Sequence, residues 1–376
     1  MELNDFELEC YFARHEFSAP YLLAQSDCES MTARELLSLE PGSEQGYLDQ
    51  WLGYTETWGD PGLRDQIANL YCSGMSADDV LVLHGAQEGI FLYLNCMLTK
   101  GDHAVVMFPN YPSAYEVING IPGCSFSKWE IRDNGERWTL DFSELETLIR
   151  PETKLIVVNT PNNPTGYTLS NAELQQLCSI CRKHGLYLFC DEVYKGLELD
   201  GESREWAADL YEKALSLGVM SKAYGLPGLR VGWAVCRDRR ILDRMVRFRH
   251  YTSICDSAPS EYLSRVALLH GEHLLERSRS IIRENLLIGH HFFKKYADVF
   301  EEKPVTAGPI AFHRLRLDMR VEDFCDFVLK EAGVLLLPGT VYDVPGPYFR
   351  MGYGRRSFSD NLSKLDDLLA REGYGR

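Results

Sequence analysis

The chain has 376 residues, 45% hydrophobic and 25% charged, the proportions of a globular protein with room for two or three domains, which excludes disorder, collagen-like repeats and a small disulfide scaffold. Asp and Glu number 55 against 39 Lys and Arg, and the formal charge of −16 repels phosphate backbones and anionic lipid headgroups, so nucleic acid and membrane surfaces are not expected partners.

Residues 1–12 are acidic and lack an apolar core of signal-peptide length, and no stretch approaches the ~18 uninterrupted apolar residues of a membrane span. The 11 cysteines are an odd number and several, such as Cys96, Cys190 and Cys236, sit inside apolar runs where a reduced thiol packs as a small hydrophobe. These features predict a reducing, cytoplasmic setting. Cys178 and Cys181 form a CxxC within a helical pattern, but no second pair stands at metal spacing, so no metal is expected.

From about Asp60 the chain alternates helical and short apolar strand signals: 63–71, 79–83, 88–98, 103–107, 155–158, 172–184, 186–190 and 231–235. This alternation predicts an α/β domain with a mainly parallel central sheet flanked by helices. After Arg237, amphipathic helical stretches at 239–251 and 261–296 precede strand signals at 310–315, 334–337 and 348–351. The expected division is an N-terminal arm, 1–50, that contributes to a smaller α+β domain and covers the site, then a large domain, 51–255, then a linking helix and the small domain, 256–376.

Four polar or Gly-rich signals follow apolar strand signals, where open α/β sheets collect their ligands. His84-Gly85-Ala86-Gln87 opens a helix, presenting free N–H groups and a positive dipole end suited to phosphate. Asn159-Thr160-Pro161-Asn162-Asn163-Pro164-Thr165-Gly166 makes a rigid turn that can fix an Asn amide against a ligand. Asp191, opening Asp191-Glu192-Val193-Tyr194, places a carboxylate at the end of a buried strand, where it needs a cationic or hydrogen-bonding partner. Lys222 lies in Ser221-Lys222-Ala223-Tyr224-Gly225-Leu226-Pro227-Gly228-Leu229-Arg230-Val231-Gly232-Trp233, a Gly/Pro-rich turn where desolvation turns an amine into a nucleophile.

The set NxPxNPTG, DEVY and SKxxGLPGLRxGW, in this order, resembles the class I/II aminotransferase family of fold-type-I enzymes dependent on pyridoxal 5'-phosphate, over residues 54–350. The resemblance implies that Lys222 forms the internal aldimine and shuttles the proton at the substrate α-carbon, that Asp191 pairs with the pyridinium nitrogen, and that Asn163 and Tyr194 bond the phenolic oxygen. It implies that Tyr111 stacks on the cofactor, that Ala86, Gln87, Ser221 and Arg230 bind its phosphate, and that Arg350 holds the substrate α-carboxylate. Tyr54 resembles the tyrosine that reaches the neighbouring subunit's phosphate, which implies a homodimer with shared sites.

Two departures bear on the substrate. Val219 stands where the family commonly has a phosphate-binding serine, and the arm lacks the usual apolar-Gly-x-Pro entry. In this family the arm covers the substrate, which makes Glu16, Asp27 and Glu29 candidates for a cationic side chain and His15 a candidate acid or base. Capping and surface roles are the competing reading, since Ser26 and Glu29 have capping-box spacing. The arm and Val219-Met220-Ser221-Lys222 are also similar to the branch of capreomycidine synthase and related enzymes that cyclise hydroxylated arginines.

The expected function is therefore aminotransfer from an L-amino acid to give a keto acid. The alternative is elimination and ring closure on a hydroxylated arginine, of the capreomycidine or enduracididine type. A non-catalytic sensing module is disfavoured because the acidic segment before Tyr54 holds no basic recognition helix.

Overall fold

The computed structural model describes residues 1–375. In chain order the strands are β1 (Tyr21–Leu22), β2 (Val80–Leu83), β3 (His103–Phe108), β4 (Ser125–Asp133), β5 (Trp138–Leu140), β6 (Thr153–Asn159), β7 (Tyr187–Asp191), β8 (Ala214–Val219), β9 (Gly232–Val235), β10 (Phe300–Glu301), β11 (Ile310–Leu315), β12 (Val334–Leu335), β13 (Leu337–Pro338) and β14 (Tyr348–Gly352). The helices used below are α1 (Glu7–His15), α2 (Ala86–Met97), α3 (Asn171–His184) and α4 (Gly271–Lys295).

One sheet runs β2-β9-β8-β7-β6-β3-β4-β5, a second runs β10-β11-β14-β13, and β1 pairs with β12. In the large sheet β8, β7, β6, β3 and β4 are parallel, β9 opposes both its neighbours, and β5 opposes β4. Every residue of β2, β3, β8 and β9 is buried, as strands covered by helices on both faces should be. The fold is thus α/β with a mostly parallel central sheet.

Local signals set the helix ends. A Ser170–Glu173 capping box starts α3 and Gly185, at φ 68°, stops it. Cys178 and Cys181 lie buried on the core face of α3, packed as apolar groups. The helical stretch expected at 261–296 is two helices: Ala258–Leu269, which packs on Pro61–Ala68, and α4. His270 breaks them at φ −114°, ψ 25°, ahead of Gly271, and its ring meets Glu40 Oε2 at 3.0 Å.

The N-terminal arm joins the C-terminal strands rather than the large sheet. Tyr21 and Leu22 pair with Val334 and Leu335, and Leu8 and Tyr11 of α1 bury against Leu335, Leu337 and Tyr342. Leu8, 2% exposed, contributes roughly 1.5–3 kcal/mol by this burial. Asn159 and Asp191 are register partners on β6 and β7, and β8 runs alongside toward Lys222. Because β2 is parallel to β8 through the intervening β9, the turn after Leu83 opens at the same sheet edge.

Candidate active site

The four strand-end turns, α1 and β14 enclose a cavity of about 320 Å³. It gathers Lys222, Asp191, Tyr194, Ala86, Gln87, Tyr111, Asn163, Ser221, Arg230, Arg350, Glu16 and Asp27 from the residues singled out in the sequence.

Lys222 follows β8, and its Nζ donates to Ser26 Oγ at 2.9 Å. Removal from water lowers its pKa, reinforced by the positive charge of Arg350 and opposed by Asp27, Glu9 and Asp191. Asp191, 7% exposed, accepts from the Val193 N–H at 3.2 Å; burial raises its pKa to about 7, against that hydrogen bond and Lys222. The Tyr194 hydroxyl is buried without a hydrogen-bond partner among the described residues, and Lys222 Nζ lies 6.0 Å from the centre of its ring.

Arg350 is 1% exposed on β14. It donates to Ala24 O through Nε at 3.1 Å and Nη2 at 2.5 Å, and through Nη1 to Asn163 Oδ1 at 3.1 Å and to the Tyr342 hydroxyl. No carboxylate among the described residues pairs with it, so this buried guanidinium has acceptors but no counter-charge. Asn163 Oδ1 also accepts from Tyr342 Oη at 2.7 Å, which leaves Nδ2 as the free donor end of the amide.

At the other end of the cavity Gly85, at φ 80°, turns the chain from β2 into α2, so the helix opens with unpaired N–H groups at Ala86 and Gln87. Gly232 lies directly behind: a Cβ there would stand 2.8 Å from Gly85 C and 3.0 Å from Ala86 N, so only glycine fits. Arg230, at φ 55°, turns back toward Gly85 and anchors through Nη1 to Pro227 O at 3.2 Å.

The arm supplies the remaining wall. Glu9 Oε1 accepts from Tyr111 Oη at 2.6 Å, Phe12 places its ring centre 5.6 Å from the Arg350 guanidinium, and Glu16 has no side-chain partner among the described residues. Asp27 reaches the cavity, but Arg355 holds its carboxylate with two hydrogen bonds of 2.6 and 3.2 Å, so it is not a free receptor for a cation. His15 does not line the cavity; its ring lies 4.9 Å from that of Tyr11. Glu29 is also outside, accepting from the Arg356 N–H at 2.9 Å. Tyr54 stands 84% exposed, away from this cavity.

The sequence reading missed Ser26, Glu9 and Tyr342. Ser26 does not cap a helix: the capping box is Thr32–Glu35, six residues on, and Ser26 turns to Lys222. The signal for Glu9 was available in the amphipathic pattern of α1, whose Leu8 and Tyr11 bury one face and leave Glu9 and Phe12 beside it. Nothing local marks Tyr342, which reaches Asn163 across 179 residues.

A model of the aminotransferase class I and II family matches residues 22–363. The chain is 28% identical to capreomycidine synthase of Streptomyces vinaceus, over 98% of this chain and 95% of that one. It superposes on a PLP-dependent aminotransferase from Streptococcus suis with a TM-score of 0.91 at 30% identity, covering 99% of each chain. The PLP-dependent cyclase OrfR matches with a TM-score of 0.90 at 27% identity, again over 99% of both chains.

The cavity fits pyridoxal phosphate on its own chemistry. Asp191 is a buried acid needing a cationic or donor partner, the Tyr194 hydroxyl is unpartnered, and Gly85 and Gly232 keep the mouth of α2 open to an anion. Lys222 stands in the same cavity as a desolvated amine.

Proposed function

Because the chain belongs to the aminotransferase class I and II family, whose members here include enzymes that work with pyridoxal phosphate, we propose that this cavity takes the amino group from an L-amino acid and releases the keto acid. The observation that carries this reading is Arg350, a buried guanidinium without a counter-charge, in the same cavity as the desolvated amine of Lys222. Arg350 supplies the positive charge that receives the α-carboxylate and so fixes the α-carbon in the cavity. The bound cofactor supplies an electrophilic carbon for amino groups and a ring that absorbs the electron pair left when the α-proton departs. Lys222 Nζ, held desolvated in the same cavity, would accept that proton and deliver it to a second carbon, as amino transfer requires. Asp191 would hold a proton at the ring nitrogen, Tyr194 and Asn163 would donate to the ring oxygen, and Tyr111 would cover one face. Ala86, Gln87, Ser221 and Arg230 would hold the phosphate.

A second reading, elimination and cyclisation on a hydroxylated arginine, is favoured by one observation: Glu9 and Glu16 bring carboxylates to the cavity that holds Arg350. It also accords with the likeness to capreomycidine synthase and to OrfR. Tyr54 is exposed beside Trp51 and Leu52, both 79% exposed, which supports a homodimer in which this segment packs on the partner and Tyr54 reaches its phosphate. The cysteines of the described residues are all unpaired, which supports a reducing, cytoplasmic setting.

A single turnover without keto acid tests the two reactions. Purified enzyme is mixed with common amino acids, L-arginine and hydroxyarginines, and cofactor and product are followed by mass spectrometry. Stoichiometric pyridoxamine phosphate with a matching keto acid is the expected result. Retained pyridoxal phosphate, with a dehydrated or cyclic product beyond one equivalent, overturns it in favour of cyclisation. Mixing Lys222→Ala and Tyr54→Ala chains tests the shared site, because exchange should restore one intact site per mixed dimer.

A further inference from the structure

Ser26 touches the amine at the centre of the proposed chemistry, and the fold spends many contacts keeping it there. The residues around it are pinned one after another to β14 and its continuation. Leu23 O accepts from the Gly352 N–H at 2.7 Å, and Ala24 O accepts from Arg350. Gln25 backbone lies so close to Gly352 that a Cβ there would stand 1.9 Å from Gln25 O. Asp27 is clamped by Arg355, and the Glu29 N–H donates to Gly354 O at 2.8 Å. At Gly354 a Cβ would stand 2.3 Å from Asp27 O, so the chain is equally tight on the far side of Ser26. The hydroxyl is therefore presented on a fixed backbone rather than on a loose loop.

Lys222 Nζ makes its one side-chain hydrogen bond among the described residues to Ser26 Oγ, at 2.9 Å. A hydroxyl rotates, so it accepts from an ammonium and donates to the lone pair of a neutral amine. It can therefore hold Nζ in both protonation states without adding charge. Asp191, Asp27 and Glu9 pull Lys222 toward its charged form and Arg350 pushes it away, but none of these makes a hydrogen bond to Nζ. We infer that Ser26 is a positioning residue for Lys222: it holds the free amine in line with the substrate α-carbon while Nζ takes up and releases the α-proton. The proton leaves the α-carbon for Nζ and is delivered from Nζ to a second carbon, as amino transfer requires, and Ser26 ends with the proton it started with. Docking of the arm thereby becomes a condition for proton transfer.

This inference rests on the reading of Lys222 as the proton carrier, and the test separates the two. In the apoprotein, Lys222 is acylated across a pH series and the modified peptide quantified by mass spectrometry. A hydrogen bond to an ammonium outweighs one to a neutral amine, so Ser26→Ala should move the midpoint down by about half to one pH unit. Ser26→Thr, which keeps the hydroxyl, should restore it. In the holoenzyme, Ser26→Ala should slow cofactor conversion in a single turnover about 10- to 100-fold, with little change in the amino-acid concentration for half-maximal rate, using the panel member that converts best. An unmoved acylation midpoint in Ser26→Ala overturns the inference whatever happens to the rate. So does a rise in half-saturating concentration at unchanged maximal rate, which would make Ser26 a substrate contact. If Lys222→Ala still turns over, the reading of Lys222 itself has failed, while the apoprotein midpoint still reports whether Ser26 holds the amine.

Discussion

The two walls of the cavity are held by different physics. One wall is the set of turns after β2, β6, β7 and β8, whose positions follow from buried parallel strands and from backbone features such as Gly85 and Gly232. The other is the arm, docked by side chains: Leu8 and Tyr11 in an apolar cluster, the Tyr11 hydroxyl on Leu336 O at 2.9 Å, Glu9 on Tyr111, and Asp27 on Arg355. The first wall can be altered only by rebuilding the sheet. The second can change residue by residue, which is where substrate preference is cheaply adjusted.

The largest expected effect lies on the sheet wall. Lys222→Ala should lower turnover by about 10³-fold or more, because the α-proton loses its acceptor. The absorbance of the cofactor–lysine linkage should vanish with it. Retention of full activity without added amine would break the division between a chemical wall and a selective one.

Arg350 joins the two walls, since it leaves β14 and spans from Ala24 on the arm to Asn163 on the sheet. Arg350→Ala should cost about 10²- to 10³-fold in kcat/KM for every amino acid, the scale of a lost charge-assisted contact in a buried site. A loss confined to one class of substrate would move Arg350 to the selective wall.

Asp191 shows the strain stored at the sheet edge. An unfolded chain ionises an Asp near pH 4, whereas burial holds the Asp191 proton until about pH 7. Across that window the unfolded state loses its proton first, so the acid destabilises the folded apoprotein as pH rises, by up to about 4 kcal/mol above pH 7. Asp191→Asn should therefore raise the melting temperature of the apoprotein at pH 8, with the gain gone by pH 4, while abolishing most activity. A variant less stable at pH 8 would show that Asp191 is already compensated within the chain.

The two walls also differ in how far the sequence reveals them. Strands β2, β3, β6, β7 and β9 announce themselves as apolar runs, and the polar turns after them mark the sheet edge. Strand β8 escapes, because Ser216 and Gly218 interrupt its run; Ser216 is there to accept from the Ala208 N–H at 3.0 Å. Strand β4 escapes because its side chains alternate near the sheet edge, with Trp129 and Ile131 alone clearly buried. On the arm, sequence spacing misleads: Ser26-x-x-Glu29 has the letters of a capping box but no helix follows it. Contacts such as Tyr342–Asn163 and Asp27–Arg355 join residues 179 and 328 positions apart, and single-chain periodicity carries no trace of them.

The smallest expected effect is also the sharpest test of the arm as the selective wall. Glu16 lines the cavity without a side-chain partner among the described residues, while Glu9 is shared with Tyr111, so Glu16 is the freer receptor for a cationic side chain. Glu16→Gln keeps the shape and removes the charge. Glu16 is partly open to water, where an ion pair is worth about 1 kcal/mol, so kcat/KM for L-arginine should fall about 3- to 10-fold. L-alanine, which leaves that end of the cavity empty, should be unaffected. The loss should shrink in high salt, which screens a partly exposed pair but not a buried one. Equal losses for both amino acids would place Glu16 in the service of the arm's docking rather than of the substrate.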